Sequence, residues 1–404
     1  MKRLYQQVFN EHLTEHRQML FVMGPRQSGK TTVAQQLIHN HQSGFYFNWD
    51  NVNDRDQIVT GPKSIAQSTH LALLANNKPW IVFDEIHKFK HWRDFLKGFY
   101  DSYPDETRIL VTGGAKLNIF NRGGDSLMGR YFPFHFHPLS VAELTQSGAN
   151  TTSEIWLEPK PIDNEMFTAL WKFGGYPDPF LKQSDSFSRR WKKSGHQQLF
   201  EEDIRDLTRI QDIDRLELLA ENLKSQTGSL LSYQSLATHL RVSDNTVRNW
   251  LVTLKSLYFC FDIRPWSTNI NRSLLKEPKY YLWDWSLCIT EEAKAENMIA
   301  LHLLKAVDFW NDLGLGDYSL HFLRDKDKRE VDFLITKNNT PWMLVEVKLS
   351  LNKGISPALR YYHEVLRPEF TFQVVLNMDY ENKNCFQNKK IQIVPAKTFL
   401  SQLV

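Results

Sequence analysis

The sequence predicts an α/β protein with a parallel sheet first, a helical middle segment next and a second α/β domain at the end. Apolar runs alternate with helix-like segments over residues 1–140, the spacing becomes helical from 141 to 225, and strand patterns return after 290. Short apolar runs that are bounded by turns and separated by helical patterns are typical of buried parallel strands. We therefore predict four domains, at 1–145, 146–225, 226–288 and 289–404.

Composition and charge narrow the class of protein. The 404 residues include 49 basic and 46 acidic side chains, so the formal net charge of +3 indicates no global attraction to nucleic acid. The three cysteines lack metal-ligand spacing and fit a reducing compartment. The sequence has no apolar run of about 18 residues and no signal-peptide pattern, so we expect a cytoplasmic protein without a membrane partner.

Five apolar runs predict the strands of the first domain. They are LFVM (20–23), FYFNWD (45–50), WIVFDE (80–85), RILVTGG (108–114) and YFPFHFHPLS (131–140).

The loop after the first run carries a phosphate-binding motif. Residues 24–31, GPRQSGKT, satisfy G-x-x-x-x-G-K-[ST] between a strand-like run and a helical segment. Backbone amides in such a loop surround a phosphate, and the helix start adds partial positive charge. We predict ATP binding, with Lys30 on the β- and γ-phosphates and Thr31 on Mg²⁺; the alternative is a chance glycine-rich turn. The predicted nucleotide contacts are Gly24, Arg26, Gln27, Ser28, Gly29, Lys30, Thr31 and Thr32.

Two carboxylates end the third apolar run. Asp84 and Glu85 follow the motif by about fifty residues, a spacing typical of a P-loop ATPase. We predict that Asp84 holds Mg²⁺ through water and that Glu85 is the catalytic base for the attacking water. Thr112, on the next strand, is a candidate sensor of the γ-phosphate or simply part of a core strand.

An arginine that stabilises the transition state is also expected, often from a neighbouring subunit. Arg130 is the first candidate, with Arg122 and Arg205 as others. Each can equally be an ordinary surface arginine.

Residues 232–251 have the apolar spacing of two short helices packed across a tight turn. Ser232 and Ser243 stand at N-cap positions, and the apolar segment 258–266 that follows can form a wing. The second helix then presents four polar side chains to DNA phosphates or base edges, or the unit serves only for packing. These four are Asn245, Thr246, Arg248 and Asn249.

The final domain carries an acidic pair and a lysine on neighbouring strands. Glu346 and Lys348 share one face of a strand because side chains alternate, and Asp332 lies on the preceding strand. Asp332 and Glu346 offer oxygen ligands to Mg²⁺, while Lys348 orients water or stabilises charge in phosphodiester cleavage. Glu296 on the preceding helix can complete the acidic cluster; alternating charge on an exposed strand would look the same.

Together these motifs resemble a family of bacterial and archaeal AAA-type P-loop ATPases with a winged helix and a C-terminal domain of restriction-endonuclease-like, PD-(D/E)xK type. The segments that carry the resemblance are GPRQSGKTT, IVFDEIHK, LMGRYFPFHFHPLS, FGGYP, FEEDIRDL, the helix-turn-helix, AENMIALHLL, REVDFLI and LVEVKLS.

The resemblance implies a P-loop NTPase core of RecA/AAA-like fold and an Asp84–Glu85 Walker B pair. It implies that Asp332, Glu346 and Lys348 match the nuclease motif. Gly114 departs from the family, whose members usually carry Ser or Asn at this position.

Three functions fit these patterns. The first is an ATP-hydrolysing DNA-processing enzyme that cuts double-stranded DNA through the last domain. The second is a nucleotide-controlled switch whose nuclease-like domain binds DNA without cutting. The third is an ATPase that acts on a protein partner. Self-association is compatible with all three, since AAA-type cores often share an arginine between copies.

Overall fold

The computed structural model describes residues 3–39, 41, 43–71, 78–103, 107–114, 127–145, 156–207, 210–267, 277–351 and 354–404. The chain forms two compact units, Met1–His137 and Pro138–Val404, each of which is described by itself.

The first unit is built on a five-stranded sheet in the order β2-β3-β4-β1-β5, and every neighbouring pair is parallel. Its strands coincide with the five predicted apolar runs. They are β1 (Met19–Met23), β2 (Gly44–Asn48), β3 (Trp80–Asp84), β4 (Arg108–Gly113) and β5 (Tyr131–His135).

Helices cover this sheet and close its core. They are α1 (Tyr5–Glu15), α2 (Lys30–His39), α3 (Val52–Thr60), α4 (Pro62–Ser68) and α5 (Trp92–Ser102). Phe95 and Phe99 of α5 meet the ring of Phe83 edge-on at 5.5 and 5.9 Å between centroids. This packing fixes the strand that ends in the predicted acidic pair.

The second unit begins with helices. They are α6 (Val141–Thr145), α7 (Asn164–Phe173), α8 (Pro177–Lys182), α9 (Asp185–Gln197), a π-helix (Gln198–Asp203), α10 (Ile204–Leu207) and α11 (Ile213–Ser225). Helix α8 begins at Pro177, because proline suits the first turn of a helix, where its missing amide needs no partner.

The predicted helix-turn-helix is present as α12 (Tyr233–Leu240) and α13 (Asp244–Ser256). Both predicted caps form, since the Ser232 hydroxyl accepts from the amide of Ser235 and the Ser243 hydroxyl accepts from that of Thr246. An antiparallel hairpin follows, β6 (Cys260–Pro265) with β7 (Lys279–Leu282). It lies where the sequence placed a wing; the winged-helix assignment itself stays a prediction.

This hairpin also joins the last sheet, whose order is β12-β11-β10-β9-β8-β6-β7. The last residues of β6 pair with β8. The predicted domains 226–288 and 289–404 therefore share one sheet. The remaining elements are α14 (Glu291–Asp312), β8 (Tyr318–Arg324), β9 (Glu330–Lys337), β10 (Thr340–Lys348), α15 (Pro357–Leu366), β11 (Phe370–Val375), β12 (Ile391–Pro395) and α16 (Ala396–Ser401).

The predicted α/β class is confirmed, with its five-stranded parallel sheet, helical middle and C-terminal α/β domain. Within the described ranges, no helix is both long and apolar enough to cross a bilayer.

Candidate functional site

The glycine-rich loop lies between β1 and α2 and packs closely on the backbone that follows β5. A side chain at Gly24 would overlap the carbonyl oxygen of Phe136. Gln27 and Gly29 have positive φ angles of 59° and 101°, which turn the chain sharply before α2 begins. The loop therefore has the tight curvature that a phosphate cradle requires.

Lys30 is buried and folds back onto its own loop. Its ammonium donates to the carbonyl oxygens of Gly24 at 3.0 Å and Pro25 at 2.6 Å. Burial lowers the pKa of Lys30 to about 8, although the carboxylates of Glu85 and Asp84 oppose this shift. A phosphate in the loop would replace these carbonyl oxygens with a stronger, charged acceptor.

The rest of the loop divides into a buried part and an exposed part. Ser28 is buried, and its hydroxyl donates to the carbonyl oxygen of Pro25 at 2.8 Å. Arg26, Gln27, Thr31 and Thr32 are exposed at the surface of the loop and the first turn of α2. The predicted nucleotide contacts from Gly24 to Thr32 thus lie along one continuous loop and helix start, whereas Thr112 lies on β4.

Arg3 supports the loop through hydrogen bonds to backbone carbonyl oxygens, a role that the sequence did not predict. Its buried guanidinium donates to the carbonyl oxygen of Ser28 at 2.7 Å and to that of His137 at 2.6 Å. The guanidinium also lies over the ring of Phe136, 4.5 Å from the centroid. Arg3 therefore ties the loop to the backbone after β5.

Asp84 is the point on which three hydroxyl groups converge. Thr31 donates to its Oδ2 at 2.8 Å, Tyr46 donates to the same oxygen at 2.5 Å, and Thr112 donates to Oδ1. The Asp84 carboxylate is buried and lies beside Thr31, which is also predicted to bind Mg²⁺. In this geometry Thr112 orients Asp84; its predicted contact with the γ-phosphate stays a prediction.

Tyr46 was missed because β2 was interpreted only as a core strand. Replacing Tyr46 with Phe removes one donor from Asp84, and we expect MgATP turnover to fall about 2- to 10-fold, the value of one hydrogen bond. Steady-state turnover measured across Mg²⁺ concentrations tests this, with Tyr103→Phe as a control elsewhere in the same core. Equal loss in both variants would contradict a role at Asp84.

Glu85 has a left-handed backbone conformation, with φ 57° and ψ 19°. This conformation is unusual for glutamate and marks a residue held in place by its surroundings. Its Oε2 lies 3.6 Å from Nε2 of His87 and 3.4 Å from Nζ of Lys88, and Lys88 also pairs with Asp50 at 2.6 Å. The carboxylate is only partly exposed and belongs to the same strand end as Asp84.

The arginine candidates differ in their surroundings. Arg130 pairs with Asp101 at 2.7 Å, and this contact lowers the pKa of the Asp101 carboxyl. Arg205 is exposed on α10 in the second unit, and Arg122 lies outside the described residues. The choice among them stays a prediction.

The predicted DNA-contact residues occupy the exposed side of α13. Asn245 and Asn249 are exposed, whereas Thr246 is partly buried and bonded to Ser243 at 2.7 Å. Arg248 is exposed but pairs with Asp244 at 2.8 Å. Its guanidinium also lies 4.2 Å above the ring of Tyr233. Arg248 would have to leave these partners to contact a phosphate.

The C-terminal acidic pair and lysine lie close together on β9 and β10. Strand β9 pairs with β10 in antiparallel register, so Asp332 and Glu346 lie beside one another, and Asp332 Oδ2 accepts from the amide of Val347 at 2.8 Å. Lys348 donates to Glu346 Oε1 at 2.7 Å. Burial, then the charge of Asp332, raises the pKa of Glu346 to about 7.

Glu296 takes part in this cluster through partners that the sequence did not indicate. Its Oε1 accepts from Lys279 at 3.1 Å and from the Tyr281 hydroxyl at 2.7 Å. Burial, then the charge of Asp332, raises the pKa of Glu296 to about 7. Lys279 and Tyr281 are two residues apart on β7, so their side chains share one face of the strand. This spacing is the sequence signal from which their common contact with Glu296 could have been predicted.

The fit of a divalent metal differs across the cluster. Glu346 Oε2 is a buried carboxylate oxygen without a hydrogen-bond partner among the residues that the structure describes, and such an oxygen can accept a cation. Glu296, by contrast, is turned to Lys279. Throughout the part of the chain that the structure describes, no three or more His, Cys, Asp or Glu side chains are arranged to hold a metal. The assignment of Asp332 and Glu346 as metal ligands stays a prediction.

Comparison with known families places an AAA domain at residues 16–145. Residues 164–295 and 291–399 match two further families, each described as a domain of unknown function, DUF8612 and DUF4143. Residues 16–145 thus match an AAA domain, and the two later stretches match families without a described function.

Most of the chain is also similar to uncharacterised proteins. The uncharacterised protein Rv2008c of Mycobacterium tuberculosis is 22% identical over 349 residues, covering 85% of this chain and 73% of the relative. The uncharacterised protein MJ1544 of Methanocaldococcus jannaschii is 23% identical over 344 residues, covering 82% and 75%.

Two solved structures show a more distant likeness. AMPPCP-bound DnaA from Aquifex aeolicus has a TM-score of 0.32 at 13% identity, covering 63% of this chain and 87% of that one. A STAND ATPase with a tetratricopeptide repeat sensor, PH0952 from Pyrococcus horikoshii, has a TM-score of 0.26 at 12% identity, covering 78% and 48%.

Proposed function

We propose that the AAA domain at residues 16–145 binds ATP with Mg²⁺ and hydrolyses it. The observation that carries this proposal is the convergence of Thr31, Tyr46 and Thr112 on the buried carboxylate of Asp84, beside a glycine-rich loop. Such an arrangement places hydroxyl and carboxylate oxygens where a P-loop ATPase holds its metal ion.

Each residue of the site has a separate proposed role in phosphoryl transfer. Lys30 leaves the carbonyl oxygens of Gly24 and Pro25 to bind the phosphates, and the start of α2 adds partial positive charge. Bound Mg²⁺ supplies charge neutralisation for the phosphate oxygens. Glu85 accepts a proton from the attacking water, while Asp84 stays fixed by its three donors.

Binding of ATP should depend on pH through Lys30. Its pKa of about 8 means that the ammonium form is lost as the pH rises above 8 in the nucleotide-free protein. Phosphate binding favours the ammonium and raises this pKa, so ATP binding takes up a proton above pH 8 and its affinity falls. Calorimetry with MgATP on either side of pH 8, in two buffers of different ionisation enthalpy, measures both effects.

The same titration tests the proposal as a whole. Uptake of MgATP that weakens above pH 8 and is accompanied by proton uptake supports it. No heat of binding at any pH from the folded protein would remove ATP binding. An affinity that stays constant across this range would remove the role given to Lys30.

A second activity is favoured by the C-terminal cluster. We propose that Asp332 and Glu346 bind one divalent metal ion and that Lys348 orients water for hydrolysis of a phosphodiester in double-stranded DNA. The unpartnered Oε2 of Glu346 and the contact of Lys348 with Oε1 of the same carboxylate support this assignment. The chain would then be an ATP-driven DNA-processing enzyme.

Nicking of supercoiled DNA in Mg²⁺ or Mn²⁺ tests the second activity. Asp332→Ala and Lys348→Ala are expected to reduce nicking to background, since both residues belong to the proposed site, while ATP turnover is retained. Lys397→Ala, a lysine near the C-terminus that pairs with Asp379, is the matched control. If wild type fails to nick DNA but DNA stimulates its ATPase, the domain is a non-cutting switch; neither effect points to a protein partner.

A further inference from the structure

Lys279 is a buried lysine inside the C-terminal carboxylate cluster, and neither proposed activity uses it. Only 2% of its surface is exposed, on an edge strand of the last sheet. Its ammonium lies 3.1 Å from Glu296 Oε1 and 2.7 Å from Glu330 Oε1. A buried ammonium is costly unless paired, so this position is held by the two carboxylates.

The charges around Lys279 are strongly attractive. Burial by itself would lower the pKa of Lys279, but the carboxylates of Glu296, Asp332 and Glu330 outweigh burial and raise it. The lysine therefore remains an ammonium. Within the cluster it stands where a second cation would otherwise find its oxygen ligands.

We propose that the Lys279 ammonium is the resident cation of the Glu296–Glu330 half of the cluster, so that the site takes one divalent metal ion, at Asp332 and Glu346. This inference rests on the second activity proposed above. Sites with two metal ions place them about 3.5–4 Å apart and share carboxylate oxygens between them. Here the oxygens of Glu296 and Glu330 already accept from lysine.

The surroundings support a fixed role for this lysine. Glu296 Oε1 also accepts from Tyr281, and Glu330 also pairs with Arg324, so each of these carboxylates has a second partner besides Lys279. Glu346 Oε2, a buried oxygen without a hydrogen-bond partner among the described residues, belongs to the other half of the cluster. Charge and geometry thus divide the cluster into a lysine half and a metal half.

Counting bound Mn²⁺ tests the proposal directly. Metal-stripped, nucleotide-free full-length protein is titrated with Mn²⁺, and the free ion is followed by electron paramagnetic resonance. Wild type is expected to bind one equivalent that Asp332→Ala removes, and Lys279→Met is expected to gain a second equivalent, since Glu296 and Glu330 then lack their cation.

Two further variants keep the result interpretable. Lys279→Gln removes the charge but keeps a hydrogen-bond donor, so it is expected to gain the same equivalent if the methionine variant fails to fold. Lys255→Met removes a lysine that pairs with Asp262 at 2.7 Å on the neighbouring strand, and it should bind as wild type does.

The outcomes separate this inference from the activity on which it rests. One equivalent in wild type and one in both Lys279 variants overturns the lysine assignment and leaves the metal site standing. Two equivalents in wild type overturn it as well. No equivalent in wild type but one in the Lys279 variants supports the lysine assignment and removes the proposed metal-dependent activity.

Discussion

Replacing Glu85 with glutamine is expected to slow ATP hydrolysis by about 10²–10⁴-fold while ATP binding is retained. Glutamine has the same length as glutamate but cannot accept a proton from the attacking water. The left-handed backbone at this position is set by the strand end and the turn, including the hydrogen bond from the Glu85 amide to Thr112. The substitution should therefore change the chemistry more than the fold.

The comparison with Lys30→Ala sharpens this prediction. Lys30 belongs to the phosphate cradle, so its loss should remove ATP binding together with turnover. Single-turnover hydrolysis and MgATP calorimetry on both variants separate binding from chemistry. Equal turnover in Glu85→Gln and wild type would assign the base to another residue.

The strands of the first unit could be predicted because each is a short apolar run with turns at both ends. WIVFD is buried along its whole length, and so is MLFVM. Their continuous apolar pattern therefore indicates strands that are buried on both faces rather than on one. The phosphate loop was found for a related reason. Its chemistry depends on residues adjacent in sequence, from Gly24 to Thr31, and adjacency is what a sequence displays.

The partners that complete each site could not be predicted, because they come from distant positions in the chain. Arg3 reaches Ser28 and His137 only after β1 and β5 pair. Lys279 reaches Glu296 only after the hairpin joins the last sheet. Such contacts are set by tertiary packing. In the sequence, the only sign of them is a charged residue within an apolar segment.

The segment that follows β5 was predicted as part of the first domain but packs in the second unit. The AAA family match extends to residue 145, yet α6, at Val141–Thr145, belongs to the second unit. Lys305 of α14 donates to the carbonyl oxygen of Pro138 at 3.2 Å, to the Ser140 hydroxyl at 3.0 Å and to the carboxylate of Glu143. A buried ion pair therefore anchors the start of this unit to its longest helix.

Breaking this pair should destabilise the second unit strongly. The side chains of Glu143 and Lys305 are 0% and 2% exposed, so Lys305→Met removes the cation from a buried ion pair. We expect the free energy of unfolding to fall by about 3–5 kcal/mol, the cost of removing one partner of a buried pair. Urea unfolding followed by tryptophan fluorescence, to which the buried Trp285 and Trp310 of this unit contribute, measures it.

Two variants distinguish the ion pair from a general effect of losing a lysine. Lys172→Met breaks an exposed pair with Asp185 at 2.8 Å and should change stability little, because water screens it. The double variant Lys305→Met with Glu143→Leu removes both charges and should be more stable than Lys305→Met alone. Equal loss in the single and double variants would show that Lys305 acts through packing, and the anchor would then be steric rather than electrostatic.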